Sequence, residues 1–300
     1  MKILVVGIGG VGGFISSMLT HKYNDVTLVA RGNRYLSIKD QGLIMHSDLH
    51  GEMISFPNVV RDPKEAGLQD YIFICVKNYS LLEVLEQIEP CLKEDTIVIP
   101  VLNGVDHGEV CENHLSKGKV VDSLIYITSF FNKDYSITQQ GSLAYLYVGG
   151  EEEEANKKVS ELLNKADIEC RLTDDIEKEL WRKYLVNCAF NTLTAYYGCP
   201  IGEIRNDPKR NNEYRMLLEE CFSVAKGKGV HLDHSIVDRL YQSFDQELPG
   251  DITSSLARDI EAHHQNEMET FVGYVDREAR LLNIEVPTIH HFYQELKKLS

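Results

Sequence analysis

Short runs of consecutive apolar residues recur through the first half of the chain: "KILVV" (2–6), "DVTLVA" (25–30), "YIFICV" (71–76) and "TIVIPV" (96–101). Rich in β-branched residues, they predict strands. Helical patterns follow the first and third, near 10–21 and 79–88. Near-continuous apolar strands separated by helices predict a parallel sheet covered on both faces. Two further strand-like runs, "VVDSLIYITSFF" (120–131) and "SLAYLYVGG" (142–150), and a helix from Glu152 complete this half. The acidic run Glu151–Glu154 opens that helix and is expected to complement its dipole on a solvated turn.

The pattern changes near residue 174. "DDIEKELWRKYLVNCAFNTL" (174–193), "NEYRMLLEECFSVAKGKG" (212–229), "DHSIVDRLYQSF" (233–244) and "SLARDIEAHHQNEMETFVGYVDREARLLNI" (255–284) all carry helical periodicity with Gly and Pro between them. The expected fold class is therefore α/β: a Rossmann-type dinucleotide-binding domain over 1–174, then an all-helical domain over 175–300. No Pro/Gly-rich linker marks the boundary, so tight packing of the two is expected.

Composition narrows the function. The 300 residues are 43% hydrophobic and 26% charged, as in a soluble globular protein. A net charge of −15 argues against nucleic acid or an anionic membrane as main partner. Seven cysteines, odd in number and never in CxxC spacing, read as reduced thiols of a cytoplasmic protein. The N-terminal stretch superficially resembles a signal peptide. Its apolar run spans only five residues before Gly7, however, and no A-x-A site follows. No segment approaches the roughly 18 uninterrupted apolar residues of a membrane span.

The first candidate chemistry lies in "VVGIGGVGG". Gly7, Ile8, Gly9, Gly10, Val11 and Gly12 form a GxGxxG loop between a strand and a helix. Gly7 allows the tight turn, Gly9 a close approach of backbone to a pyrophosphate, and Gly12 close helix–strand packing. The helix N-terminus then offers free N–H groups to the anion. At the end of the second strand, "VARGNR" (29–34) lacks the carboxylate that an NAD site uses for the ribose 2′-hydroxyl. Arg31 there suits a 2′-phosphate, so NADP(H) is the expected cofactor. Lys77 and Asn103 follow the third and fourth strands, on the face where ligands of open α/β sheets bind.

A second signal lies in "LWRKYLVNCAFNTL" (180–193). Lys183, Asn187 and Asn191 recur every four residues on an otherwise apolar helix, spanning an arc of about 80°. Buried polar groups need partners, so the stripe predicts a ligand-facing seam. An alternative pairs Lys183 with Glu179, but it leaves both asparagines unexplained. Ser255, Asp259, His263 and Glu267 form a second i+4 series on what reads as one continuous helix. The histidine pairs 263–264 and 290–291 lack HExxH spacing, so a metal site is not expected.

Nearly end to end, the chain resembles the ketopantoate reductases (2-dehydropantoate 2-reductases). The residues that carry the likeness are "GIGGVGG" (7–13), Arg31, "VK" (76–77), "LNG" (102–104), "WRKYLVNCAFNTLTA" (181–195), "TSSLARDI" (253–260), Glu267 and "VP" (286–287). The resemblance implies a Rossmann domain followed by a helical domain, with the active site in a cleft between. It implies Lys183 as general acid in the NADPH-dependent reduction of ketopantoate to (R)-pantoate, a step of pantothenate and coenzyme A biosynthesis. Glu267 would bind the substrate's hydroxyl end and orient the lysine. Asn187, Asn191 and Ser255 would hold the 2-oxo acid, Lys77 and Asn103 would line the cofactor–substrate junction, and Arg31 would take the 2′-phosphate. A small-molecule 2-oxo acid is thus the expected partner, with a homodimer compatible and neither nucleic acid nor membrane expected. One departure stands out: some members carry asparagine where this chain has Ile201, which leaves room for a different 2-oxo acid. A β-hydroxyacid dehydrogenase shares the two-domain plan, but the absent acid after the second strand and the Ser255…Glu267 spacing count against it. A non-catalytic NADP(H) sensor has no use for Lys183 beside two asparagines.

Overall fold

The computed structural model describes residues 1–246 and 249–299, and the chain divides into two compact units, Met1–Ile176 and Glu177–Ser300. The first unit opens with β1 (Ile3–Val6), α1 (Gly10–Lys22), β2 (Val26–Val29), α2 (Gly32–Gln41), β3 (Leu43–Ser47), β4 (Gly51–Ser55) and β5 (Asn58–Val60). It continues with β6 (Tyr71–Ile74), α3 (Leu81–Ile88), β7 (Ile97–Pro100), α4 (His107–His114) and β8 (Lys119–Val120). β9 (Asp122–Phe131), β10 (Ile137–Gly149), α5 (Glu153–Lys165) and β11 (Glu169–Leu172) close it.

Six strands form a parallel sheet in the order β5-β2-β1-β6-β7-β8. Both faces are covered, which is why its strands read as unbroken apolar runs. Ile3, Val5, Leu28, Phe73 and Ile99 pack with Phe14, Ile15, Met18 and Leu19 of α1. Their neighbours Leu4, Val6, Ile72, Ile74 and Val98 point the other way, onto Leu81, Val84, Leu85 and Ile88 of α3. The chain runs outward from β1 to β2 and β5, then returns to the other side of β1 at β6. The strand order therefore reverses between β1 and β6, where doubly wound sheets bind their ligands.

A second sheet, β11-β10-β3-β4 with β9 on β10, covers the far side of α1. Leu43, Met45, Ile137, Leu146 and Val148 join the same core, so α1 is buried nearly all round from Gly12 to Leu19. The sequence pattern does not show this sheet in full. β3 and β4 are five residues each and β11 four, too short for alternation to stand out; β5, at the edge of the parallel sheet, has only three. α2 is also absent from the pattern, since Arg34 and Ile38 alone of its residues are buried. The run 120–131 proves to be two strands: β8 stays in the parallel sheet, β9 joins the second, and fully buried Val121 marks the transfer. Glu153 and Glu154 do occupy the first turn of α5, facing Lys157 and Lys158 one turn on.

The second unit is helical: α6 (Ile176–Tyr197, its first residue closing the first unit), α7 (Ile201–Asn206), α8 (Pro208–Gly227), α9 (Ser235–Gln246), α10 (Ser255–Glu261), α11 (Val272–Leu282) and α12 (Pro287–Leu296). Carboxylates set several starts. Asp207 accepts the N–H groups of Lys209 and Arg210 ahead of α8, with Pro208 in the first position. Glu220 reaches from α8 to accept the N–H groups of Thr288 (2.9 Å) and Ile289 (2.8 Å), capping α12.

One expectation needs correction. The helix expected over 255–284 is interrupted. α10 stops at Glu261, His263 adopts a left-handed conformation (φ 52°), and the His264 N–H closes back on the Asp259 carbonyl at 2.8 Å. A one-turn 3-10 helix, Met268–Thr270, then precedes α11. Ser255, Asp259, His263 and Glu267 are thus not one face of one helix.

Candidate functional site

In the first unit the glycine loop connects β1 to α1. Gly7 has φ 94°, and a Cβ there would lie 2.7 Å from the Cys75 carbonyl at the end of β6. A Cβ on Gly12 would sit 1.9 Å from the Gly7 oxygen, and one on Gly10 2.5 Å from the Ser129 oxygen. Those glycines are demanded by packing. Gly9 differs: a Cβ there meets no atom within 4 Å. Its open side adjoins the start of α1, which has no acidic residue in its first turn and only Gly9 as cap. Unsatisfied N–H groups and the positive dipole end thus face that space, as a dinucleotide pyrophosphate requires. Ile8 and Val11 pack into the core and contribute backbone only.

Parallel register brings the other candidates to the same edge. Val6 of β1 pairs Ile74 of β6, which pairs Pro100 of β7, so the loops after these strands emerge side by side. Lys77 and Asn103 lie on two of them, and the Asn78 amide donates to the Asn103 carbonyl at 2.6 Å, tying them together. Asn78, which the sequence pattern does not single out, is therefore a support of this edge. Arg31 caps α2 just past β2. Its guanidinium donates to the Arg61 carbonyl (3.3 Å) and to Gln87 Oε1 (2.8 Å), with Glu83 at 3.8 Å.

In the second unit the polar stripe lies on α6. Glu179 pairs with Arg182 at 3.4 Å rather than with Lys183. Although part of the Lys183 side chain stays accessible, surrounding atoms strip water from its ammonium and pull its pKa down from 10.5 to about 8, while the negative charge of Glu267 works the other way. Glu267 is 4% exposed and stands directly before the 3-10 turn, its carbonyl accepting the Thr270 N–H at 2.9 Å. Tyr184 pins that turn to α6: its hydroxyl lies 2.8 Å from the Thr270 carbonyl and 2.7 Å from that of Phe271. The sequence pattern does not single out Tyr184; its ring is buried, and its hydroxyl holds the turn.

Asn191, at 5% exposure, finds partners within the unit. Its amide nitrogen donates to the Asn187 carbonyl (2.8 Å), and its oxygen receives the Leu256 N–H (3.4 Å) and the Ser255 hydroxyl (3.5 Å). Ser254, which caps α10 through the Ala257 N–H, has its hydroxyl 2.7 Å from that of Thr194. Three hydroxyls, of Thr194, Ser254 and Ser255, and the Asn191 amide thus fix the start of α10 against α6. Asn187 itself is half-exposed. Ile201, the departure noted above, is fully buried at the start of α7. Among the described residues no His, Cys, Asp and Glu cluster fits a metal ion, and no helix is long and apolar enough to cross a membrane. All seven cysteines are free thiols.

Known proteins show the same plan. An uncharacterized oxidoreductase of Bacillus subtilis, YkpB, is 29% identical over 300 residues, covering 99% of this chain and 98% of its own. The 2-dehydropantoate 2-reductase of Mesorhizobium japonicum is 25% identical over 332 residues, covering 100% and 98%. The solved structure of D-mandelate dehydrogenase with NADH and anilino(oxo)acetate superposes with a TM-score of 0.91 at 22% identity, covering 100% of this chain and 98% of that one. Residues 3–152 match the family described as "Ketopantoate reductase PanE/ApbA" and residues 175–300 its "C terminal" part, so the chain belongs to the ketopantoate reductase family.

Proposed function

We propose that this chain is a cytoplasmic, NADPH-dependent 2-dehydropantoate 2-reductase, forming (R)-pantoate for pantothenate and coenzyme A biosynthesis. The observation that carries the reading is the desolvated Lys183 ammonium, brought to about pKa 8 with the Glu267 charge opposing its deprotonation. A general acid is most effective when its pKa lies near the working pH. The nicotinamide, when bound, supplies hydride to the carbonyl carbon of the 2-oxo acid. Negative charge then develops on the carbonyl oxygen, and the Lys183 Nζ stabilises it and donates a proton, giving the alcohol and a neutral lysine that solvent reprotonates. Glu267 holds the ammonium in place. The Asn187 amide and the Ser255 hydroxyl bind the oxo acid, with Asn191 holding Ser255 at the α10 start. Lys77 and Asn103, at the edge tied by Asn78, line the junction of cofactor and substrate. Free thiols at all seven cysteines fit a reducing compartment.

The test is consumption of NADPH with 2-dehydropantoate and a panel of other 2-oxo acids, in wild type and Lys183→Ala. Turnover on 2-dehydropantoate that falls by roughly 10²–10⁴-fold in the variant is the expected result. Turnover confined to another oxo acid overturns the substrate, and a loss below about tenfold overturns the general-acid role. One observation favours a second reading, reduction of a different 2-oxo acid. Where some family members have asparagine, fully buried Ile201 offers no hydrogen-bonding group.

A further inference from the structure

No carboxylate follows β2 in sequence, yet one reaches the same guanidinium from α3. Glu83 Oε1 lies 3.8 Å from Arg31 Nη1, and Gln87 Oε1 accepts from Nη2 at 2.8 Å. The Gln87 amide in turn donates to Glu83 Oε1 at 2.6 Å, so these two residues, one helical turn apart, act as a single acceptor unit. With Nε on the Arg61 carbonyl, each guanidinium nitrogen already has an acceptor nearby. A 2′-phosphate must take donors from that unit and settle, as a dianion, beside a carboxylate. Other charges stand near: Asp62 feels the Arg31 charge, and the Arg61 guanidinium stacks on Tyr35 at 4.2 Å. Glu83 alone among these forms a direct ion pair with Arg31 among the described residues.

We propose that Glu83 is a specificity residue that restrains the preference for 2′-phosphorylated cofactor, so that the chain also accepts the unphosphorylated dinucleotide. The inference rests on the reading of Arg31 as the 2′-phosphate contact. Glu83 competes with that phosphate for the guanidinium and repels it, whereas a ribose 2′-hydroxyl can donate to the same carboxylate. Both side chains are more than half exposed, 61% for Arg31 and 64% for Glu83, so solvent and salt temper the repulsion. At such exposed positions substitution is expected to change stability little, so the variants fold.

The test is calorimetric binding of adenosine 2′,5′-bisphosphate and adenosine 5′-monophosphate to the full chain, for wild type, Glu83→Gln, Arg31→Ala and the double variant. Glu83→Gln is expected to tighten the bisphosphate roughly three- to tenfold at low salt while leaving the monophosphate unchanged or weaker. In the Arg31→Ala background that gain should vanish. An unchanged ratio of the two affinities in Glu83→Gln overturns the proposal. So does a lower ratio, which would make Glu83 merely the residue that holds Arg31 in place. If Arg31→Ala itself leaves the ratio unchanged, the Arg31 reading fails as well; an Arg31 effect without a Glu83 effect sinks this inference alone.

Discussion

The first unit presents its candidate site mainly as backbone, the second as side chains. Around the glycine loop, N–H groups at the start of α1 and the carboxyl ends of β1, β6 and β7 set the geometry, and the residue types serve to let atoms approach. In the second unit the geometry comes from groups that are costly to desolvate, Lys183 on α6 and Glu267 before the 3-10 turn. The Tyr184 hydroxyl holds that turn, while the Asn191 amide fixes the start of α10. A backbone site should fail sterically, all at once. A side-chain site should fail electrostatically, by degrees and with pH.

Two alanines placed three residues apart give the sharpest contrast. In Gly12→Ala the new Cβ would overlap the Gly7 oxygen at 1.9 Å, so helix or loop must move. A loss of about 2–3 kcal/mol of unfolding free energy is expected, with nucleotide binding lost alongside. Gly9→Ala adds its methyl to open space, so stability should change by less than about 1 kcal/mol. If Gly9 is where the backbone meets the pyrophosphate, binding of the nicotinamide cofactor should nonetheless weaken at least roughly tenfold, because the methyl would occupy that approach. Urea unfolding and fluorescence titration measure both. Equal stability losses in the two variants would erase the distinction between packing glycines and the cradle glycine.

The side-chain site should instead show itself through pH. If Lys183 is the general acid, it donates only when protonated, so kcat/KM for reduction should hold below about pH 8 and fall roughly tenfold per unit above it, while oxidation of the alcohol gains in the same range. In Lys183→Arg the guanidinium stays protonated, so the slower residual rate should be flat from about pH 7 to about pH 10. Tyr184→Phe comes next in size. It removes the hydroxyl that serves the Thr270 and Phe271 carbonyls, which should cost about 1–2 kcal/mol of stability. The pH limb should move down, since a loosened Glu267 no longer supports the lysine charge. A limb that stays in place while stability falls would make Tyr184 a core residue only.

The same contrast explains what could be read in the sequence. Gly7 to Gly12 and the strands around them are local: six residues dictate a turn, and four buried residues in a row dictate a strand. The stripe Lys183, Asn187, Asn191 was legible because α6 runs unbroken for 22 residues, so spacing translates directly into direction. The segment 255–267 was not, because nothing in "RDIEAHHQNE" carries a Gly or Pro stop. His263 takes a left-handed conformation, at a cost other contacts must offset, and Glu267 is delivered by a 3-10 turn rather than by helical phase. Asn191 was legible as buried and polar, but its partners at Ser255 and Leu256 lie more than sixty residues away, beyond any local pattern. The Arg31–Gln87–Glu83 contacts are hidden for the same reason.

The smallest expected effect bears on whether the α10 start belongs to the side-chain site at all. Ser254 is 2% exposed; its hydroxyl accepts the Ala257 N–H at 3.0 Å and meets the Thr194 hydroxyl at 2.7 Å. Ser254→Ala removes the cap, and about 1 kcal/mol of stability should be lost. Thr194 keeps the Phe190 carbonyl at 2.6 Å as its acceptor, so no buried hydroxyl is stranded and the loss should not grow beyond that. The first turn of α10 then loosens, carrying with it the Ser255 hydroxyl and the Leu256 N–H that Asn191 holds at the long distances of 3.5 and 3.4 Å. If that turn presents Ser255 to the oxo acid, KM for the acid should rise a few-fold while the Lys183 pH limb stays where it is, since neither Lys183 nor Glu267 depends on the cap. A stability loss with KM unchanged would confine Ser255 and Asn191 to holding two helices together, and the side-chain site would shrink to Lys183, Asn187 and Glu267.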